Sequence, residues 1–248
     1  MVLGNDLHVV IGFDEPRYYI SLLTTVLFFM ALLRWIPRLK ATTQDTLLKT
    51  FGGVFLGILV LNNIIFMIAD GYKWDVHYSL PLQLCSVSFL LIGLNSFLRK
   101  QRIWEITLFL GIVGGIHSLL TPQLAEGDHP YFYFVYYFKH GTILFFPIIH
   151  HRVWGFGLDK KSWLRVLVFA NIYLVFSLLL NFTLNHWLPA EELANYFYTW
   201  EPPAANNPII QGDWPWYLIP CEIALIVHLM VIQWVFRWRA QHQFTINN

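Results

Sequence analysis

Charge is what this sequence has least of. Asp, Glu, Lys and Arg make up 12% of its 248 residues, against roughly 25% in soluble globular domains. So few charges cannot cover the surface of a soluble α/β enzyme. Cysteine is almost as scarce: two residues form one bridge at most, which excludes a disulfide-stapled scaffold. The net charge of +1 gives no electrostatic ground for a nucleic-acid partner. The first Lys or Arg is Arg17, so no basic stretch precedes an apolar core and no secretory signal peptide is expected. Several chemistries are missing as well. There is no HExxH pair, no CxxC, no glycine-rich phosphate loop and no GxSxG elbow. No Lys lies between Trp216 and Phe236, which excludes a retinal Schiff base on the last apolar segment. No metal and no cofactor are expected.

What remains is apolar and aromatic. The hydrophobic fraction is 56%, with 21 Phe, 12 Tyr and 11 Trp, the opposite of a disordered composition. A helix needs about 20 mostly apolar residues to cross a bilayer. Seven stretches qualify, at about 18–36, 47–69, 80–98, 103–120, 131–149, 163–184 and 216–238. The expected architecture is therefore all-α, a single polytopic transmembrane bundle over residues 1–248 with no separate soluble domain. The longest connection, 185–215, is rich in Pro, Asn and Trp and is expected to pack on the bundle.

The few cations are strongly partitioned. Thirteen of the 16 Lys and Arg fall in the links after the first, third and fifth segments and at the C-terminus. Only Arg17 and Lys73 fall on the other side, and Lys139 lies inside a span. By the positive-inside rule the N-terminus is outside and the C-terminus cytoplasmic. Trp35, Trp104, Trp163, Trp187, Trp214, Trp216 and Trp238 lie near segment ends, where they read as interfacial anchors.

Polar groups inside the spans converge on one side. Asn62, Asn63, Asp70, Cys85, His117, Ser118, His140, Asn181, Asn185, Cys221 and Glu222 all fall toward the outer half or near mid-membrane. Buried polar groups are costly in lipid and often mark function, and structural glue has no reason to choose a leaflet. Helical spacing puts Pro81, Cys85, Ser88, Ile92 and Asn95 on one face. It puts Tyr133, Tyr136 or Tyr137, and His140 on another, and Ser177, Asn181 and Asn185 on a third. Gly111 and Gly115 read as a close-packing pair. Lys139, about 100° from His140 around the helix, is expected to point elsewhere. Plainer readings stand beside these. Cys85 can be a small buried hydrophobe, His140 a hydrogen-bonded core residue, and His150 and His151 interface residues. Cys221 can pair with Cys85 or merely pack, and Glu222 can neutralise a partner or stay protonated.

Four stretches carry a resemblance: LPLQLCSVS at 80–88, RIWEITLFLGIVGGIHSLLTP within 101–122, FKHGTILFFP at 138–147 and NYFYTWEPPAANNPIIQGDWPWY at 195–217. Together they resemble the YwaF-type bacterial integral membrane proteins. Those are similar to the eukaryotic transmembrane protein 164 acyltransferases and, more distantly, to the androgen-induced group of membrane hydrolases. The resemblance implies a multi-pass protein of a bacterial cytoplasmic membrane with Cys85 and His140 as a catalytic pair. It implies movement of a fatty acyl group between a phospholipid and a lysophospholipid through a thioester. The distant hydrolases use Thr where this chain has Cys85, which leaves lipid ester hydrolysis open. Supporting positions are His117, Asn181, Asn185, Tyr136, Tyr137, Ser88, Glu222 and Asn62. The alternative reading is a non-catalytic binding or transport protein with an outward polar pocket. The oligomeric state is left open.

Overall fold

The computed structural model describes residues 9–69, 71–188, 190–204, 210 and 212–246, with side chains described up to residue 239. Among these residues seven α-helices form: α1 (Pro16–Trp35), α2 (Ala41–Ile68), α3 (Leu84–Leu98), α4 (Gln101–Leu120), α5 (Pro130–Trp154), α6 (Ser162–Trp187) and α7 (Leu218–Ile246). Six are long and apolar enough to cross a membrane. A two-residue antiparallel ladder, β1 (Val9–Val10) with β2 (Gln123–Leu124), ties the N-terminal segment to the α4–α5 link. The protein is a multi-pass helical membrane protein.

Local chemistry sets the helix ends. Pro16 opens α1 and Pro130 opens α5, positions where the missing N–H has no intrahelical partner anyway. His129 Nδ1 accepts the N–H of Tyr131 at 3.2 Å and caps α5. Gly155, at φ 70°, ends that helix in the left-handed conformation.

The third helix departs from the sequence expectation. The apolar run 80–98 is helical only from Leu84, giving 15 residues or about 22 Å of rise, short of the roughly 30 Å hydrocarbon core. Residues 80–83 bond elsewhere. Leu80 N–H donates to Tyr196 Oη at 3.1 Å, and Pro81 has no N–H to give. Gln83 donates from Nε2 to Asn195 O at 3.1 Å and accepts Phe197 N–H at 2.9 Å. A tertiary contact with the 194–199 segment has replaced the first helical turn.

The main core lies between α1, α2, α3 and α5, around Phe29, Phe55, Phe89, Ile143 and Phe146. Phe55 meets Phe146 edge-on with ring centres 4.7 Å apart. Helices α4 and α5 approach each other closely at two glycines. A Cβ on Gly111 would sit 2.2 Å from Ile143 O, and one on Gly115 2.8 Å from Leu144 Cβ. Pro147, inside α5, has no N–H to return to Ile143 O. That freed carbonyl is the atom against which Gly111 packs. The glycine pair does pack helices, as expected.

The Lys/Arg-rich links all gather at one end. Arg99 pairs with Asp45, and Arg102 lies 3.7 Å from Asp159. Arg165 binds buried Glu105 at 2.8 Å and Asp159 at 2.7 Å. Two aromatic expectations fail here. Trp104 is fully buried and donates from Nε1 to Pro147 O at 2.8 Å, so it is a core residue, not an interfacial anchor. His150 is also fully buried and stacks on Trp154 at 4.2 Å.

Candidate functional site

At the other end of the bundle lies a cavity of about 670 Å³, within the 300–1,000 Å³ typical of small-molecule sites. Its walls come from α2, α4, α5, α6, α7, the first turn of α3 and the links 77–83, 123–127 and 192–204. The interior is lined by apolar side chains such as Leu59, Phe66, Leu110, Val113, Phe132 and Leu174. Glu126, Glu192 and Glu201 also contribute to the lining.

The cavity brings together Cys85, His140, His117, Tyr136, Glu222 and Asn62. Cys85 sits in the first turn of α3, next to Gly114 of α4, where an added Cβ would be 3.4 Å from Sγ. Its hydrogen-bond contact is Ser118, with Sγ and Oγ 3.7 Å apart. Cys221 also lines the cavity, and both cysteines are free thiols rather than a bridge. His140 lies one α5 turn from Tyr136. Its Nδ1 is 2.7 Å from Tyr136 O. A carbonyl only accepts, so Nδ1 carries the proton and Nε2 is the lone-pair nitrogen of the neutral ring. The Tyr136 ring packs on the imidazole at 4.1 Å. Its hydroxyl donates to Ser118 O at 2.7 Å and accepts Gln123 N–H at 3.2 Å. Tyr136 thereby links the backbone beside Cys85's partner to the helix that carries His140. No hydrogen bond joins Cys85 to His140 among the described residues.

Other expected residues lie outside the cavity. Ser88 is buried in the bundle one turn below Cys85. Tyr137 is buried with Tyr18, Leu119 and Leu124. Asn181 is a clamp: its amide donates to Tyr196 O at 2.9 Å and Thr199 Oγ1 at 2.8 Å, and its Oδ1 accepts Tyr196 N–H at 3.0 Å. Asn185 does the same for Ala194, at 3.1 and 2.6 Å. These two amides fix the 194–199 segment against α6, so this part of the long connection does pack on the bundle. Asp70 lies outside the described residues. Asn62 accepts Tyr131 Oη–H at 2.8 Å, and Glu222 accepts from Asn171 Nδ2 at 2.8 Å.

Sequence reasoning also missed residues. Lys139 lines the cavity together with His140, because the space is wide enough to touch adjacent residues 100° apart. His228 on α7 faces His117 with ring centres 5.2 Å apart, and its Nδ1 donates to Ala224 O at 2.6 Å. The signal for it was present: an ionisable residue within an apolar span. His77, in the α2–α3 link, had no such signal. Tyr198 also lines the cavity. It lies outside the helices, and burial pushes its hydroxyl up to about 12, so it stays a protonated donor. Among the described residues no group of three or more His, Cys, Asp or Glu is placed to hold a metal ion.

No curated protein and no solved structure matches this chain. One family does. Its sequence pattern aligns with residues 13–233, a stretch that contains every residue that lines the cavity, Cys85 and His140 included, and on that match the chain belongs to the TMEM164 family.

Proposed function

We propose that this protein is a membrane-embedded acyl-lipid enzyme, an acyltransferase that carries a fatty acyl group on Cys85 as a thioester. The observation that supports it most is that one largely apolar cavity is lined by both a free thiol and an imidazole in the tautomer a base needs. His140 Nε2 takes the Cys85 proton, and the sulfur attacks the ester carbonyl of a phospholipid. The C–O bond breaks, and the proton passes to the departing lysophospholipid. The hydroxyl of a second lysophospholipid then attacks the thioester carbonyl, the C–S bond breaks, and the hydroxyl proton returns to the sulfur to restore the Cys85 thiol. The step requires the thiol to exchange its Ser118 contact for the imidazole, a tightening typical of catalytic pairs on substrate binding. Ser118, then freed, is a hydroxyl donor beside the developing oxyanion. The apolar walls favour the acyl chain by about 0.8 kcal/mol per buried CH₂. The Lys/Arg partition supports an outer-leaflet opening for the cavity, with the cation-rich end in the cytoplasm.

The test is intact-mass spectrometry of purified protein incubated with a phospholipid donor. A hydroxylamine-labile acyl adduct is expected on the wild type and none on Cys85→Ala. His140→Ala should acylate about 100-fold more slowly or worse. Normal lipid exchange by both variants would overturn the reading. Release of free fatty acid without transfer to added lysophospholipid would make the enzyme a hydrolase instead.

A further inference from the structure

A second imidazole in the same cavity is held the way a catalytic base is held. His77 lies in the α2–α3 link, is 3% exposed and contributes to the cavity wall. Its Nδ1 is 2.6 Å from Asp75 Oδ1, and its own backbone N–H donates to the same oxygen at 2.9 Å. Asp75 is held in turn: its N–H donates to Ser79 Oγ at 3.0 Å, and Ser79 N–H returns a bond to Asp75 O at 2.8 Å. The Tyr196 hydroxyl donates to Val76 O at 2.7 Å and anchors the turn to the clamped 194–199 segment. Burial pushes the Asp75 carboxyl up, but the hydrogen bonds from His77 and the charge of Lys73 outweigh it and keep the group below the usual carboxylate range. An ionised Asp75 accepts only, so Nδ1 bears a proton, and in the neutral imidazole Nε2 holds the lone pair. That Nε2 is buried and has no hydrogen-bond partner. Other buried side-chain atoms also lack a partner, among them Tyr137 Oη and Thr142 Oγ1; what sets Nε2 apart is that its ring is held by a carboxylate at the wall of the cavity that holds Cys85. The missing partner is a donor.

We propose that Asp75 and His77 form a second acid–base pair, and that His77 Nε2 accepts the proton of the hydroxyl that receives the acyl group. The inference rests on the acyl-enzyme reading above and divides its two halves between two histidines. His140 serves the thiol and the leaving lysolipid. His77 serves the incoming hydroxyl of a lysolipid or of water. As the hydroxyl oxygen bonds to the thioester carbonyl carbon, its proton moves to His77 Nε2. The C–S bond then breaks, the Cys85 thiolate leaves, and His77 returns the proton to restore the thiol. Asp75 steadies the imidazolium and is a positioning residue.

A chromogenic acyl ester separates the halves. With p-nitrophenyl laurate in micelles, the burst of p-nitrophenolate reads acylation of Cys85, and the following steady state reads transfer of the acyl group onward. His77→Gln should keep a full burst and lose about 100-fold in steady-state turnover, both to water and to an added lysophospholipid. The full burst itself certifies a folded site. Should His77→Gln give no burst, Asp75→Asn decides: it keeps the imidazole, should keep the burst and should slow turnover about tenfold. A full burst with unchanged turnover in either variant overturns this inference alone. A wild type without any burst overturns the acyl-enzyme reading and this inference with it.

Discussion

Gly111→Ala is the sharpest perturbation of the α4–α5 contact. The new Cβ would lie 2.2 Å from Ile143 O and 3.1 Å from Ile143 C. Carbon–oxygen contacts of this kind settle at about 3.3–3.6 Å, so the shortfall is at least about 1.1 Å. The obstacle is backbone, freed by Pro147 but fixed within α5, and no rotamer can move it. The helices must separate by roughly that distance, an overpacking strain of about 1–3 kcal/mol. Chains of this size shift in Tm by about 2–4 °C per kcal/mol, so a fall of roughly 2–12 °C is expected by intrinsic tryptophan fluorescence. Activity should fall further than stability alone explains, because the contact sits one turn from His140. Moving α5 stretches the 2.7 Å bond from Tyr136 to Ser118. Gly57→Ala on α2 is the internal control: nothing lies within 4 Å of its added Cβ. Replacing a mid-helix glycine there should stabilise by about 0.5–1 kcal/mol. Equal Tm values for the two variants, or a Gly111→Ala protein with unchanged Tm and turnover, would refute the reasoning.

Three further outcomes are expected. Tyr136→Phe keeps the ring against His140 but loses both hydroxyl bonds. Two bonds at about 1 kcal/mol each should lower Tm by roughly 4–8 °C and slow acylation of Cys85 roughly 5- to 30-fold in burst kinetics. Asn181→Ala strands the Tyr196 N–H, at about 1–3 kcal/mol, and leaves Tyr196 O with Thr199 Oγ1 alone. Limited proteolysis should then cut the 190–204 segment faster than in wild type. At the cation-rich end, the hydrogen bond from Arg165 and the Lys161 N–H hold the Asp159 carboxyl down to about 2, against an ordinary 3.8. A depressed folded-state value means the contribution is present above about pH 4 and is lost as pH falls from there toward 2. The group is largely exposed, so the effect is at most about 1 kcal/mol. Melting curves between pH 5 and 2.5 should fall less steeply for Asp159→Asn.

Much of the fold is legible in hydropathy because lipid imposes one rule on every span: long, apolar and helical. The third segment breaks that rule for a reason hydropathy cannot carry. LPLQLC reads as a continuous apolar run, yet Leu80 and Gln83 have better partners in Tyr196, Asn195 and Phe197 than in a helical turn. The glycine pair was readable from spacing, but the role of Pro147 in baring Ile143 O was not, since it depends on which carbonyl faces which helix. Cys85, His140, His117 and Tyr136 were readable as polar groups on helix faces at one depth. Asn181 and Asn185 looked the same in sequence and proved to be clamps. Lys139 was misjudged because helical phase separates neighbours on a narrow stripe, whereas this cavity spans a wide arc. His77 could not be found by periodicity at all, since it lies in a link and only the Asp75 contact gives it meaning.

What separates clamp from candidate site is not burial or polarity but leftover bonding capacity. At the cation-rich end, Glu105 is saturated by Arg165, Arg102, Ser162 and Gln101. Asn181 uses its donors and its acceptor on one segment. Such groups stabilise the bundle and have nothing left for a ligand. The cavity imidazoles are different. His140, His228 and His77 each commit Nδ1 to a carbonyl or carboxylate, and among the described residues none has a protein hydrogen bond at Nε2. Lys139 beside them has no ion pair among the described residues. Open valences also occur at the cation-rich end, at His150 Nδ1, Asn95 Nδ2 and Gln233 Oε1, so the mark of the candidate site is narrower: its imidazoles with a free nitrogen share one cavity with the Cys85 thiol.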